Sequence, residues 1–197
     1  APPAPAMPAF VCMAQRGDVR LLRVGGPETG PAVVVVPSLI NAPAVLDLSP
    51  ERSLVRYLAA QGLNVWLIDR GPMAGRDRRL GMAGLVSARL LPLLQSIGLP
   101  VRLVGYCVGG TLAIAAARLL GDRLDRLALL AAPWHFDGFS DEARLRAVAI
   151  YRDVRPVGES LGALPITLIN PLFWSLDEAA VVNKFAALAR RPATDPH

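Results

Sequence analysis

A cysteine lies at the centre of a glycine-rich segment, Gly105-Tyr106-Cys107-Val108-Gly109-Gly110. The apolar run 101–104 before it predicts a buried strand, and the alanine-rich run 109–120 after it predicts a helix. A strand that enters a helix through Gly-x-Cys-x-Gly has the pattern of a nucleophile elbow, with cysteine where serine is more common. The segment therefore makes Cys107 a candidate nucleophile.

The two outer glycines of this pattern have a steric purpose. The turn is so sharp that we expect Gly105 and Gly109 to lie nearly in contact, which leaves no room for side chains. We expect Cys107 to adopt a strained backbone conformation that lifts its side chain clear of the sheet. The N-terminus of the following helix lies beneath the sulfur, where its dipole and free N–H groups favour a thiolate.

An elbow of this kind also builds a site for an oxyanion. The backbone N–H of Val108 is the expected first donor, because it follows the nucleophile and opens the helix. The second donor is expected in the loop after the β-branched run 32–36, at Leu39 or Ile40.

A base for the cysteine is harder to find, because the chain has only two histidines. His197 is the last residue, with no strand before it. His135 follows the strand expected after the elbow helix, so it is a candidate base or a residue that lines the pocket, and Asp137 could orient it or cap the next segment. We expect the strands that carry the usual Asp and His to lie beyond residue 197.

The same segment allows other interpretations. Cys107 could be a buried structural cysteine in a glycine-rich turn. A phosphate cradle is disfavoured, because neither Gly-x-Gly-x-x-Gly nor Gly-Lys-[Ser/Thr] is present. The second cysteine, Cys12, lies in a predicted hairpin and is interpreted as structural or incidental.

The elements that would position these residues follow from the apolar pattern. Runs at 10–14 and 19–24 predict a hairpin, and strands at 32–36, 64–68, 101–104 and 127–131 alternate with helices, which predicts a mostly parallel sheet. A helix over 50–61 is expected, with Ser49 as its N-cap and Gly62 as its stop. Further helices are expected over 81–97, kinked at Pro92, and over 141–152. A capping box at Ser175-Leu176-Asp177-Glu178 predicts another helix to about Arg190, whereas 166–169 is the one candidate strand after residue 131.

Composition limits the classes of protein. The chain has 197 residues, a net charge of +5, 53% hydrophobic and 19% charged residues, which excludes a disordered chain. Its basic residues are scattered and no basic stripe is interleaved with aromatics, so no nucleic-acid partner is expected. No run is long and apolar enough for a membrane span, and a cytoplasmic location is expected.

Several stretches resemble the polyhydroxyalkanoate synthases. They are Pro37-Ser38-Leu39-Ile40-Asn41, Val45-Leu46-Asp47-Leu48, Ser53-Leu54-Val55, Gln61-Gly62 and the nucleophile box Gly105-Tyr106-Cys107-Val108-Gly109-Gly110-Thr111. A weaker similarity runs from Leu129 to Asp137. The resemblance covers roughly residues 32 to 137. The chain departs from the family where Ala42-Pro43-Ala44 replaces Lys-Tyr-Tyr and where Asp69-Arg70-Gly71-Pro72 replaces Ser-Trp-x-Asn-Pro.

The resemblance implies an α/β-hydrolase fold, a mostly parallel sheet with helices on both faces, followed by the start of a cap and incomplete in this chain. It implies three parts: a Pro-rich arm (1–9), the N-terminal part of the core (10–137) and a cap-like helical region (138–197). It also implies that Cys107 accepts a 3-hydroxyacyl group from coenzyme A and passes it to a growing polyester. Acyl-CoA is then a substrate, no cofactor or metal is expected, and a homodimer or association with polymer granules is implied.

Two alternatives from other classes remain. A cysteine hydrolase of the dienelactone hydrolase or thioesterase type carries a similar Gly-Tyr-Cys-x-Gly-Gly box. A catalytically incomplete fragment or binding relative would explain the missing histidine. Trapping of an acyl group on Cys107 separates the three.

Overall fold

The computed structural model describes residues 9–71, 77–162, 164–174 and 178–190. The chain divides into two units, Ala1–Trp134 and His135–His197. The expected Pro-rich arm lies, apart from Ala9, outside the described residues.

The first unit is built on a six-stranded sheet. Its strands are β1 (Val11–Arg16), β2 (Val19–Gly25), β3 (Ala32–Val36), β6 (Asn64–Asp69), β7 (Val101–Tyr106) and β8 (Leu124–Leu130). Two further short strands, β4 (Asp47–Ser49) and β5 (Arg52–Ser53), pair with each other in a separate two-stranded sheet. The order is β1-β2-β6-β3-β7-β8. Pairing is antiparallel from β1 through β2 to β6 and parallel from β6 through β3 and β7 to β8. The predicted hairpin and mostly parallel sheet are confirmed.

Helices cover both faces of this sheet. They are α1 (Leu54–Ala60), α2 (Met82–Leu85), α3 (Leu91–Ser96) and α4 (Val108–Leu120). One apolar cluster joins Val34 and Leu103 to α3 and α4, and a second joins Val35 and Leu67 to Val55 of α1. Every residue of β3 is buried, as expected for a strand covered on both faces.

Helix α1 begins later than the sequence predicted. The expected cap, Ser49, ends β4, and its Oγ accepts a hydrogen bond from the Arg52 N–H at 3.2 Å within the turn to β5. Ser53 is the actual N-cap, since its Oγ accepts from the Arg56 N–H at 3.0 Å. Two serines four residues apart offer the same local cap, and the strand pairing selects the second.

The segment 81–97 is helical but is not kinked simply at its proline. A π-helical turn, Val86–Leu90, joins α2 to α3, and Pro92 lies in the first turn of α3, where its missing N–H costs little. The irregularity therefore precedes the proline.

The second unit contains α5 (Asp141–Leu161), α6 (Ile166–Trp174) and α7 (Glu178–Ala189). The predicted strand at 166–169 is wrong: these residues open α6, and the Pro165 carbonyl accepts from the Leu168 N–H at 2.9 Å. A short apolar run does not distinguish strand from helix, and a proline before it favours a helix start. Ser175 to Asp177 of the predicted capping box lie outside the described residues. Among the described helices, none is long and apolar enough to cross a membrane.

Candidate active site

Cys107 lies between the last residue of β7 and the first residue of α4. Its backbone has φ 54° and ψ −131°, and among the described residues it shares a positive φ outside glycine only with Ala131, at φ 49°. This conformation is strained for a residue with a Cβ and persists only where the surroundings enforce it. The thiol is partly buried and not disulfide-bonded.

Three glycines allow this turn. A Cβ on Gly105 would overlap the Gly110 Cα and the Ala113 side chain. A Cβ on Gly109 would overlap the Val36 and Pro37 carbonyl oxygens. The sequence predicted that Gly105 and Gly109 face one another, whereas in the structure Gly105 faces Gly110 and Gly109 faces the end of β3. The lack of side chains at these glycines therefore lets the elbow pack directly against the end of β3.

Hydrogen bonds hold the elbow on its other side. The Cys107 N–H donates to the Leu130 carbonyl at 2.9 Å, at the end of β8. The Thr111 hydroxyl donates to the Pro133 carbonyl at 2.7 Å. The Gly110 N–H donates to the Cys107 carbonyl at 2.8 Å. The backbone of the candidate nucleophile is thus bonded both to its own helix and to the neighbouring strand.

The loop after β3 carries the candidate second oxyanion donors. Ser38 is fully buried, and its Oγ accepts from the Ile40 N–H at 3.1 Å. The Ile40 N–H is therefore engaged, and Leu39 is the better placed of the two candidates. Because Gly109 lies against the Pro37 carbonyl, this loop lies beside the start of α4 and Val108. Sequence reasoning missed Ser38, although a serine directly after a strand and a proline is a signal for such a side-chain turn.

His135 belongs to the second unit, and its side chain is exposed. It precedes a short 3-10 turn, Phe136–Gly138, and its carbonyl accepts from the Gly138 N–H at 3.2 Å. Asp137 lies in that turn, 3.9 Å from the Arg144 guanidinium and exposed. Its proposed role in orienting His135 is not supported by any hydrogen bond recorded for the described residues. His197 lies outside the described residues.

Cys12 lies on β1 and is exposed. Its Sγ is 3.6 Å from the Ala14 carbonyl. It thus lies on an edge strand of the sheet, and not at the turn that holds Cys107, which makes it a useful reference thiol.

One ion pair of the first unit, between Arg89 and Asp77, is partly buried. Arg89 donates from Nε and Nη2 to Asp77 Oδ1 at 2.9 and 2.6 Å, and these bonds hold the pKa of the buried Asp77 carboxyl below its usual range. Asp77 also accepts from the Asp18 N–H at 2.8 Å, which fastens the β1–β2 turn to the helices. Among the described residues, no group of three or more His, Cys, Asp or Glu could hold a metal ion.

Two cavities flank the loop that follows β3. The larger is about 510 Å³, lies over β2 and β6, and is lined by Ala9, Phe10, Leu22, Ala42, Pro43, Ala44, Asp47, Arg56, Leu67 and Asp69. The smaller is about 30 Å³ and includes Leu39 and Arg70. The small residues that replace Lys-Tyr-Tyr of the family thus line the larger cavity.

Solved structures with the same architecture are α/β hydrolases. One from Sphaerobacter thermophilus has a TM-score of 0.51 at 20% identity, covering 80% of this chain and 63% of that chain. Another, from a lagoon-sediment metagenome, has a TM-score of 0.50 at 16% identity, covering 76% and 63%. The chain has an α/β-hydrolase fold, as the sequence predicted.

Relatives found by sequence comparison point to one group within the α/β hydrolases. The chain is 34% identical over 155 residues to the poly(3-hydroxyalkanoate) polymerase subunit PhaC of Synechocystis, which covers 73% of the chain and 40% of the relative. It is 29% identical over 162 residues to PhaC of Haloferax mediterranei, covering 79% and 33%, and 29% identical over 158 residues to PhaC of Allochromatium vinosum, covering 77% and 44%. No family model matches the chain.

The resemblance to polyhydroxyalkanoate synthases is therefore confirmed: the chain is an α/β-hydrolase-fold relative of the poly(3-hydroxyalkanoate) polymerases. It spans less than half the length of these three relatives, between 33 and 44%.

Proposed function

We propose that this chain is the nucleophile-bearing part of an acyltransferase of the poly(3-hydroxyalkanoate) polymerase type, with Cys107 as the nucleophile. The observation that carries the proposal is the backbone of Cys107, at φ 54° between β7 and α4, in a chain similar to these polymerases. A strained nucleophile held at a strand–helix turn suits covalent acyl transfer.

The chemistry proceeds in two transfers. The Cys107 sulfur attacks the thioester carbonyl of a 3-hydroxyacyl-CoA, and in this proposal the N–H groups of Val108 and Leu39 bind the oxyanion. The C–S bond to CoA breaks, and the thiol proton leaves with CoA through a base. A hydroxyl of the growing polyester then attacks acyl-Cys107, forms an ester and returns the thiol. No step uses a metal or a bound cofactor.

Trapping the acyl-enzyme tests the nucleophile. The chain is incubated with 3-hydroxybutyryl-CoA, and intact mass measures the adduct. We expect one acyl group on the wild-type chain and on Cys12→Ala, and none on Cys107→Ala. Growth of the adduct by further acyl units supports the polymerase type, whereas release of the free acid to water supports a cysteine hydrolase. Absence of any adduct contradicts the proposal and favours a binding relative.

The base is tested separately. His135 is the one histidine among the described residues and the candidate base that the sequence offers. If it takes the proton, His135→Ala lowers the acylation rate about 100-fold, as expected for loss of a general base. An unchanged rate excludes His135 and leaves the Cys107 proposal intact.

A further inference from the structure

Arg70 follows β6 directly and lies at the carboxyl edge of the sheet, the edge that also carries Cys107. Strand β6 is next to β3, which is next to β7, so the start of the Arg70 side chain is about two strand spacings, roughly 10 Å, from the elbow. Pro37, Leu39, Leu112 of α4 and Arg70 line one cavity of about 30 Å³. Arg70 and the loop that carries the Leu39 N–H therefore line the same cavity.

One donor of the Arg70 side chain differs from those of Arg89, which lines the same cavity. Arg70 Nε is buried and has no hydrogen-bond partner among the described residues. By contrast, Arg89, which lines the same cavity, is paired with Asp77. The acid next to Arg70 in sequence, Asp69, accepts hydrogen bonds from Arg20 and from the Gly71 N–H.

A buried donor of a charged group that makes no hydrogen bond is costly, and the charge of a partly buried group is less screened than that of an exposed one. Burial lowers the pKa of Arg70, although the Asp69 charge acts in the opposite direction. In an apolar site the field of such a charge is weakly screened, so negative charge that develops nearby is stabilised. The carbonyl oxygen of a substrate acquires such charge when Cys107 attacks it, next to the Leu39 loop.

We propose that Arg70 is a positioning residue that stabilises the oxyanion through the loop from Pro37 to Ile40, without contacting substrate. The inference deepens the proposed function and rests on Cys107 as nucleophile. Because the oxygen is common to all acyl donors, Arg70 acts alike on a CoA thioester and on a simple ester.

The test compares Arg70→Gln and Arg70→Lys with Arg118→Gln, a matched loss of one charge from the exposed side of α4. Acylation of Cys107 is followed in single turnovers with 3-hydroxybutyryl-CoA and with p-nitrophenyl butyrate, which carries no phosphate. We expect Arg70→Gln to slow acylation about tenfold with both donors at unchanged half-saturating concentration, a smaller effect than loss of a direct oxyanion donor. Arg70→Lys should recover most of the rate, and Arg118→Gln should equal wild type.

Alkylation of Cys107 by iodoacetamide is the control for folding, because this reaction forms no oxyanion. Its rate should be the same in Arg70→Gln and wild type. A loss of alkylation equal to the loss of acylation overturns the inference and assigns Arg70 to support of the fold, for example through Asp18, which lies against Gly71. A loss confined to the CoA donor also overturns it, in favour of phosphate binding.

The two donors separate this inference from the proposed function. If wild-type Cys107 is acylated by the ester and not by the CoA thioester, the polymerase-type proposal fails, and the ester rates still decide the role of Arg70. If the ester rates of wild type and Arg70→Gln agree, the inference fails while the function stands. If neither donor acylates the wild-type chain, both are overturned.

Discussion

The elbow of the first unit and the long helix of the second are held by different forces. Around Cys107, a methyl group on Gly105 would overlap Gly110, and one on Gly109 would overlap the end of β3. Strand β3 itself is wholly buried. In α5 no residue is buried, and its ion pairs join exposed side chains three or four residues apart, such as Arg146 and Glu142 at 2.8 Å. The comparison shows that long-range packing defines the site, whereas local interactions suffice to define the secondary structure of α5.

A serine N-cap begins a helix in each unit, so the buried and the exposed helix can be compared at the same kind of residue. Ser53 begins α1 and is 7% exposed, whereas Ser140 begins α5 and is exposed. Each hydroxyl accepts from the N–H three residues later, at 3.0 and 3.2 Å. The difference between the two therefore lies only in what surrounds them.

The largest effect is expected from Gly105→Ala. The new Cβ would overlap the Gly110 Cα, so we expect the free energy of unfolding to fall by about 3 kcal/mol, at the upper end for overpacking. Denaturant unfolding measures it. Gly98→Ala is the control, because nothing lies within 4 Å of its Cβ position. Equal effects at the two positions would contradict the packing argument.

The buried pair of Asp77 and Arg89 should make the stability of the first unit depend on pH. The hydrogen bonds from Arg89 lower the pKa of Asp77 below the unfolded value of about 3.9. The pair therefore stabilises the fold fully above that value, and the stabilisation is lost as the pH falls through the lower, native pKa. We expect Asp77→Asn to reduce stability at pH 7 and to flatten its decline in acid. Urea unfolding from pH 7 to pH 2 tests this, and parallel curves for the variant and wild type would disprove it.

The two caps provide a smaller, matched difference. We expect Ser53→Ala to cost about 2 kcal/mol and Ser140→Ala about 0.5 kcal/mol, the two ends of the range for lost N-caps. The Ser53 hydroxyl is buried and also lies 3.5 Å from the Leu46 carbonyl, so its loss leaves polar groups unpaired. Chemical denaturation measures both, and an equal cost would remove the distinction between the units.

The smallest effect is expected from Glu142→Gln, which breaks the pair with Arg146 on the surface of α5. Both side chains are at least half exposed, at 81% and 50%, so the cost should be about 0.3 kcal/mol and vanish in high salt. A double-mutant cycle with Arg146→Gln isolates the pair. A coupling above about 1 kcal/mol would contradict the description of this pair as a weak, solvent-screened surface interaction.

The sequence by itself determined the elements whose causes are local. The glycine spacing around Cys107 predicted the strand–turn–helix and the strained backbone of its central cysteine, because so sharp a turn leaves no room for side chains at Gly105 and Gly109. The buried valines of β3 and the hairpin were equally readable, since their patterns depend on few residues. Family motifs extended this to the α/β-hydrolase fold.

Tertiary structure decided everything that depends on distant partners. It chose Ser53 over Ser49 as a helix cap through the pairing of β4 with β5, and it placed Gly109 against β3 instead of against Gly105. It also left Arg70 Nε without a hydrogen-bond partner among the described residues. Hydrogen bonds and close contacts join residues far apart in the chain, so only the folded arrangement assigns them.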